Sequence, residues 1–344
     1  MLLIRKPRTH VIFLTMLMCA GKASAIEVPS FMRDGSSRFL SRSLSTACYS
    51  MDSVERGLPC NPAFVAKARD PRFDGDLLLG SNVDYIRDAE KVLNGDADET
   101  TVAKIASRRD YSQAEASLEA SFQASTWGIS VEPYRVILFS HMENPSLPTM
   151  DFVAAEQQSI KAQIASYVSD NFYAGLQVRY SHIRYIGSYF AVSEALAENS
   201  KDLFDPQTTE LLYVEPGFLY AWEDLVWQPQ ISAMLSQWGV ASQKTEQFPI
   251  KPMGLLGASI KPMVPLGLLE VGVQFGIDSE TQSAREALRA ALSYKLGILQ
   301  AVASVSDEDH SVGFLLGFKN FTSGLSYFSE AQQRGVYIQF GVTL

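Results

Sequence analysis

The chain ends Val336-Tyr337-Ile338-Gln339-Phe340-Gly341-Val342-Thr343-Leu344. Val336, Ile338, Phe340, Val342 and Leu344 fall in one phase; Tyr337, Gln339, Gly341 and Thr343 fall in the other. A strand turns successive side chains to opposite faces, so this stretch predicts one apolar face and one small or polar face. The pattern recurs upstream. Leu269, Val271, Val273, Phe275 and Ile277 oppose Glu270, Gly272, Gln274 and Gly276, and Phe172 to Tyr180 alternate against Gly175, Gln177 and Arg179. Leu212, Val214, Phe218, Tyr220 and Trp222 share a phase that Pro216 interrupts, and Leu118, Ala120, Phe122 and Ala124 oppose Glu119, Ser121, Gln123 and Ser125.

Length separates two readings of this alternation. Soluble strands usually run about 5–6 residues. These run about 9–13, the length of a tilted strand crossing a bilayer. In a soluble sandwich the apolar phase would face a core; in a transmembrane barrel it faces lipid, and the polar phase faces the lumen. The sequence therefore predicts an all-β protein, a transmembrane antiparallel β-barrel with a short N-terminal plug-like segment containing helix. With both termini on one side the strand number is even. A strand near 76–86 brings the count to about 14, and 12 is the alternative.

Connection lengths agree. Short ones are expected near Asn320, Gly297, Pro265, Glu223-Asp224 and Asp170-Asn171, and longer polar ones at 279–285, 239–250, 187–208 and 142–156. Barrels of this kind pair short periplasmic turns with longer outer loops. Trp127, Trp222 and Trp227 lie beside the short turns, where an aromatic girdle would sit.

Residues 1–25 read as a secretory leader. Arg5, Lys6 and Arg8 precede an apolar stretch from Val11 to Ala20, and Ala23-Ser24-Ala25 supplies the small residues of a cleavage site. The rest divides into an N-terminal periplasmic or lumen-plug segment, 26–75, and a barrel, 76–344. Residues 86–115 have helical spacing, with a break at Asn94-Gly95.

Composition bounds the function. The 344 residues are 47% hydrophobic and 19% charged, which excludes a disordered tail protein. The leader holds four bases and no acid, so the rest carries 25 bases against 38 acids, a charge of −13. That balance excludes a nucleic-acid partner, which needs a basic footprint. Of three cysteines, Cys48 and Cys60 lie beyond the leader and are a candidate disulfide in an oxidising compartment.

The order of these parts resembles the broad FadL/PorV/TraF-like group of outer-membrane barrels. The resemblance rests on Asn61-Pro62-Ala63 ahead of a helical insertion and about 14 long strands, and on Leu79-Gly80-Ser81-Asn82-Val83-Asp84-Tyr85-Ile86. It implies a 14-stranded barrel, with Asn61, Pro62 and Ala63 as the turn after a segment packed in the lumen. The cysteine pair departs from the group.

Catalytic candidates are few. Beyond the leader the histidines are His141, His182 and His310. His182 continues a lipid-facing phase, His141 is opposed in phase to Ser140, and His310 closes Ser306-Asp307-Glu308-Asp309, which reads as a solvated acidic loop rather than a cation site. No nucleophile elbow, phosphate loop, dinucleotide fingerprint or zinc-protease motif is present. We therefore expect no enzyme, cofactor or metal. The lumen phase supplies the candidate site: Arg179, Glu215, Gln228, Gln230, Glu270, Gln274, Arg289 and Lys295. These residues either line a conducting pore or pair across a filled lumen.

Two functions follow as expectations. One is a passive channel or transporter in the outer membrane of a Gram-negative bacterium, for small solutes that include apolar ones. The other is a plugged barrel serving as a structural or secretion-associated envelope component, with an envelope protein as partner. An outer-membrane hydrolase is the remote third. Either barrel would meet outer-membrane lipid and lipopolysaccharide and would need the barrel-assembly machinery.

Overall fold

A computed structural model describes residues 39–52, 57–67, 70–81, 112–142, 149–191, 204–245, 247–279, 281, 283–307, 309–330 and 333–344, with isolated positions between 88 and 101. The leader at 1–25 lies outside the described residues.

The strands are β1 (Arg72–Ser81), β2 (Ser112–Gln123), β3 (Trp127–Met142), β4 (Thr149–Ser169), β5 (Phe172–Ala191), β6 (Gln207–Ala221), β7 (Gln230–Ser236), β8 (Gly239–Ala241), β9 (Met253–Ile260), β10 (Leu268–Ile277), β11 (Leu288–Leu296), β12 (Leu299–Val305), β13 (Asp309–Phe318), β14 (Phe321–Glu330) and β15 (Gln333–Thr343). Consecutive strands pair antiparallel except at β8, which pairs with β6 while β7 pairs with β9, and β1 pairs with β15. The sheet closes through β5–β6. β7 and β8 pair with successive parts of β6 and are two pieces of one interrupted strand, so the barrel has 14 strands. Closure removes every free edge, the condition for a sheet to sit in lipid.

The alternation faces as the sequence predicts. On β15, Val336, Ile338, Phe340 and Val342 are exposed on the outer wall, while Tyr337 and Gln339 are buried in the lumen. Val273, Phe314, Leu325, Ile164 and Phe218 continue the outer apolar band.

The wall is uneven in height. β4 and β5 run 21 and 20 residues, against 7 to 11 for β9 to β15, with β9 at 8. The expected loops at 142–156 and 187–208 are thereby shortened: β4 already starts at Thr149 and β5 continues to Ala191. The reason is burial on both faces. Val136, Leu138, Phe152 and Ile186 join one apolar cluster, and Ile137, Phe139, Val153 and Tyr185 join another on the opposite face. A strand buried on both faces loses its alternation and reads as irregular chain.

β1 begins at Arg72, ahead of position 76. The expected helical region 86–115 ends earlier, because Ser112 already starts β2. Within it Asp88, Glu90, Lys91, Thr100 and Thr101 are helical, Asn94-Gly95 is a turn, Asp96 and Asp98 are irregular, and the other positions before Ser112 lie outside the described residues.

Two prolines set local irregularities. Pairing of β3 with β4 skips from Glu132 to Arg135 across Pro133, which has no N–H to donate. Opposite Pro216 of β6, the partner strand breaks between β7 and β8 at Gln237, whose φ is 54°.

Candidate functional site

The lumen is filled by the chain's own N-terminal segment. A short helix, Phe39–Leu44, leads into a 3-10 turn, Ser45–Tyr49, and a second 3-10 turn covers Pro62–Lys67. None of these residues pairs into the sheet. Phe39, Leu44, Ala47, Met51 and Leu58 are buried inside the barrel. Cys48 and Cys60 form a disulfide that joins the two halves.

The wall holds this plug chiefly by side chains. The Phe39 backbone N–H donates to Gln339 at 3.2 Å. Ser43 donates to Ser326 at 2.9 Å, and Ser311 donates to the Ser43 carbonyl. Gln163 reaches the Pro59 carbonyl at 2.8 Å, and Gly57 N–H donates to Asp74 at 2.7 Å. At the turn, Asn61 Oδ1 accepts from Ala63 N–H at 3.0 Å, closing an Asx turn across Pro62. Asn61 Nδ2 points outward to the Phe218 carbonyl of β6 at 3.3 Å.

Glycines admit the plug to the wall. A Cβ at Gly175 would come within 2.5 Å of the Pro62 backbone, and one at Gly217 would overlap the Asn61 side chain. Such close approach of two backbones is a place that only glycine fills.

One charged cluster anchors the plug's first half. Arg42 Nη2 lies 2.7 Å from Glu115 Oε1 of β2; Arg135 Nε of β3 lies 2.8 Å from the same oxygen. Tyr337 of β15 donates to Glu115 Oε2 at 2.9 Å. All four side chains are buried.

The sequence-derived candidates are placed as follows. Arg179 and Glu215 face the lumen as an ion pair at 3.7 Å, and Arg179 also lies 4.2 Å from the centre of the Tyr213 ring. Gln230 donates to Glu270 at 3.1 Å, and Glu270 also accepts from the backbone N–H of Asp52, a plug residue, at 2.9 Å. Gln274 is buried in the lumen beside Gly257. Arg289 pairs with Asp309 near the loop end. Lys295 is half-buried near the turn end. Gln228 does not lie on the lumen wall. Trp227 and Gln228 both have positive φ, β7 starts only at Gln230, and Gln228 stays exposed in the turn.

The loop expected at 239–250 partly folds inward. Phe248 packs against Tyr185 with ring centres 5.3 Å apart and joins Leu211 and Tyr213 in the upper lumen. Sequence reasoning missed Phe248, Arg42, Glu115 and Arg135; an aromatic in an otherwise polar loop was the one available signal.

The histidines stay outside the lumen where they are described. His182 is half-buried with Nδ1 3.8 Å from Glu210, and His310 is exposed beside Tyr327. The His141 side chain lies outside the described residues. Asp307 pairs with Arg285 at 2.6 Å, and the described residues contain no group of three potential metal ligands.

No family model matches the chain, and no curated protein matches it. Among solved structures, similarity is found to the CymD monoaromatic hydrocarbon channel, at 8% identity and a TM-score of 0.48 over 88% of this chain and 95% of that one. The toluene transporter TodX of Pseudomonas putida matches at 9% identity and a TM-score of 0.42 over 93% and 97%. CdiB from Acinetobacter baumannii matches at 6% identity and a TM-score of 0.36 over 80% of this chain and 60% of that one.

Proposed function

We propose that this chain is a passive channel of a Gram-negative outer membrane, carrying small solutes that include apolar ones past an N-terminal plug. The observation that carries the reading is the relation of plug to wall. The plug fills the lumen, and its described residues contribute no strand, so they can shift without breaking any barrel pairing. The outer apolar band and the closed sheet meet the requirements of a bilayer. The flanking partners are then outer-membrane lipid and lipopolysaccharide, with insertion by the barrel-assembly machinery. The lumen charges act by pairing: Arg179 with Glu215, and Arg289 with Asp309.

A second reading is a permanently plugged envelope component. The buried Arg42–Glu115 pair favours it, because it ties the plug to the wall, and the Cys48–Cys60 bond stiffens the plug itself.

Liposome flux separates the two. Purified protein, with and without residues 26–67, is reconstituted and scored for uptake of a neutral sugar and of toluene. The channel reading expects slow uptake by the full chain and faster uptake without the plug. Absence of flux from both proteins, each folded by gel mobility, contradicts it and leaves the plugged component.

A further inference from the structure

Most connections at the short-turn end are tight, at 124–126, 170–171, 297–298 and 319–320, whereas the β6–β7 and β9–β10 connections span 222–229 and 261–267. The two long turns are tied together by a hydrogen bond from the Lys261 backbone N–H to the Trp227 carbonyl, at 2.6 Å. Between them and the plug lies a cavity of about 590 Å³. That is the size range of sites that enclose a small organic molecule. The turns give it an apolar wall of Leu225, Trp227 and Met263.

The charges around this cavity do not balance. Asp52, Glu223, Asp224 and Glu270 line it against only Lys261 and Lys295. Lys67, which does not line it, lies 3.5 Å from Glu223 and 3.7 Å from Asp52. Counting Lys67, three ammonium groups meet four carboxylates, and one negative charge is left over. Lys261 is committed to Asp52 at 2.8 Å.

Glu270 shows where a cation is wanted. Its side chain lies on the lumen wall and is only 5% exposed. Oε1 accepts from the Asp52 N–H at 2.9 Å, from Ser259 at 3.0 Å and from Gln230 at 3.1 Å. All three donors are neutral and all three go to that one oxygen. Oε2 receives no hydrogen bond from the described residues and faces the cavity that Glu270 lines. A carboxylate this buried is costly unless it is paired. A metal ion is a poor match, because the described residues contain no group of three potential ligands and one wall is apolar.

We propose that this cavity binds an organic monocation, a primary ammonium on an aromatic or alkyl body. The ammonium donates to Glu270 Oε2 in the field of Asp224, and the body lies against Trp227 and Met263. One positive charge offsets the one surplus carboxylate; an anion adds to the surplus, and a neutral analogue leaves it. The site goes beyond the channel reading, since it needs no movement of the plug.

The full chain in phosphatidylcholine nanodiscs is titrated calorimetrically with 2-phenylethylammonium, 2-phenylethanol and 3-phenylpropanoate, and the heats from protein-free nanodiscs are subtracted. We expect saturable binding of the ammonium and at least about tenfold weaker binding of the alcohol and the anion. Glu270→Gln keeps an acceptor for the three donors and removes the charge. It should weaken the ammonium at least about tenfold and leave the alcohol unchanged. Asp224→Asn, at an exposed turn position, should weaken the ammonium by about threefold, the weight of one exposed charge, with folded gel mobility unchanged. It carries the test if Glu270→Gln gives no folded band. Equal affinity for the ammonium and the alcohol, an unchanged ammonium affinity in either folded variant, or displacement of the ammonium by equimolar magnesium would each overturn the proposal. The titration reads binding without flux, so its failure and the failure of the flux experiment are separate results.

Discussion

Arg42 and Glu115 form a buried ion pair at 2.7 Å that joins the lumen plug to strand β2, 73 residues further along the chain. Glu115 is shared with Arg135 at 2.8 Å and accepts from Tyr337 at 2.9 Å, so one carboxylate links the plug to three strands. Removing one member of a buried pair leaves uncompensated charge and costs about 3–5 kcal/mol. Glu115→Gln should therefore lower the unfolding temperature of the folded band and raise solute flux, because Arg42 loses its anchor. Unchanged flux with a lowered melting temperature would show that the cluster stabilises the wall without holding the plug.

The two faces of β10 give a direct test of orientation. Val273 is 45% exposed on the outer wall, and Gln274 is 1% exposed in the lumen. An arginine on a lipid face near the bilayer midplane costs roughly 2–4 kcal/mol. Val273→Arg should impair membrane assembly, measured as the yield of folded band, and Gln274→Arg should impair it less. Equal losses would contradict the assigned faces.

The Cys48–Cys60 bond closes a short loop within the plug, with a sequence separation of 12. Cross-linking a loop of this size stabilises by roughly 3 kcal/mol in the chain-entropy account. The Cys48→Ser, Cys60→Ser double variant should keep the barrel, since neither residue pairs into the sheet, but loosen the plug. The expected outcome is an unchanged folded band, faster proteolysis of the plug and faster flux. Loss of the folded band would show that plug and wall unfold together.

Lys261 sits in a turn, outside the spanning strands. Burial pushes its ammonium pKa down, but Asp52 and Glu270 outweigh burial and hold it above the ordinary lysine value of 10.5. A raised pKa means the contribution is complete below the unfolded value and disappears as pH rises through the folded one. The melting-temperature difference between wild type and Lys261→Met should stay constant from pH 7 to pH 10 and shrink at more alkaline pH. A difference that vanishes below pH 10 would contradict the Asp52–Lys261 pairing.

The barrel was legible because lipid and lumen sit on opposite faces of each strand, which writes an alternation into Val336–Leu344 and its counterparts. It faded where that condition fails: Phe152–Ala155 are buried on both sides and look like loop. Arg179 and Glu215 could be assigned to the lumen because their strands are unbroken there. Arg135 could not, because counting by twos from Ile129 and Val131 puts it on the outer wall; the irregularity at Pro133 turns it inward to meet Glu115. Arg42 belongs to a segment without periodicity, where sequence carries no phase at all. Gln228 was misplaced by the two positive-φ residues that delay β7.

The central claim is that the apolar phase of these strands faces lipid, and the outer-membrane fraction tests it most directly. The fraction is run on a detergent gel unboiled and boiled. The account predicts a membrane-bound protein whose unboiled band migrates differently and converts on heating, because a closed 14-stranded barrel resists the detergent. A protein recovered in the soluble periplasm, with the same mobility before and after boiling, would contradict it.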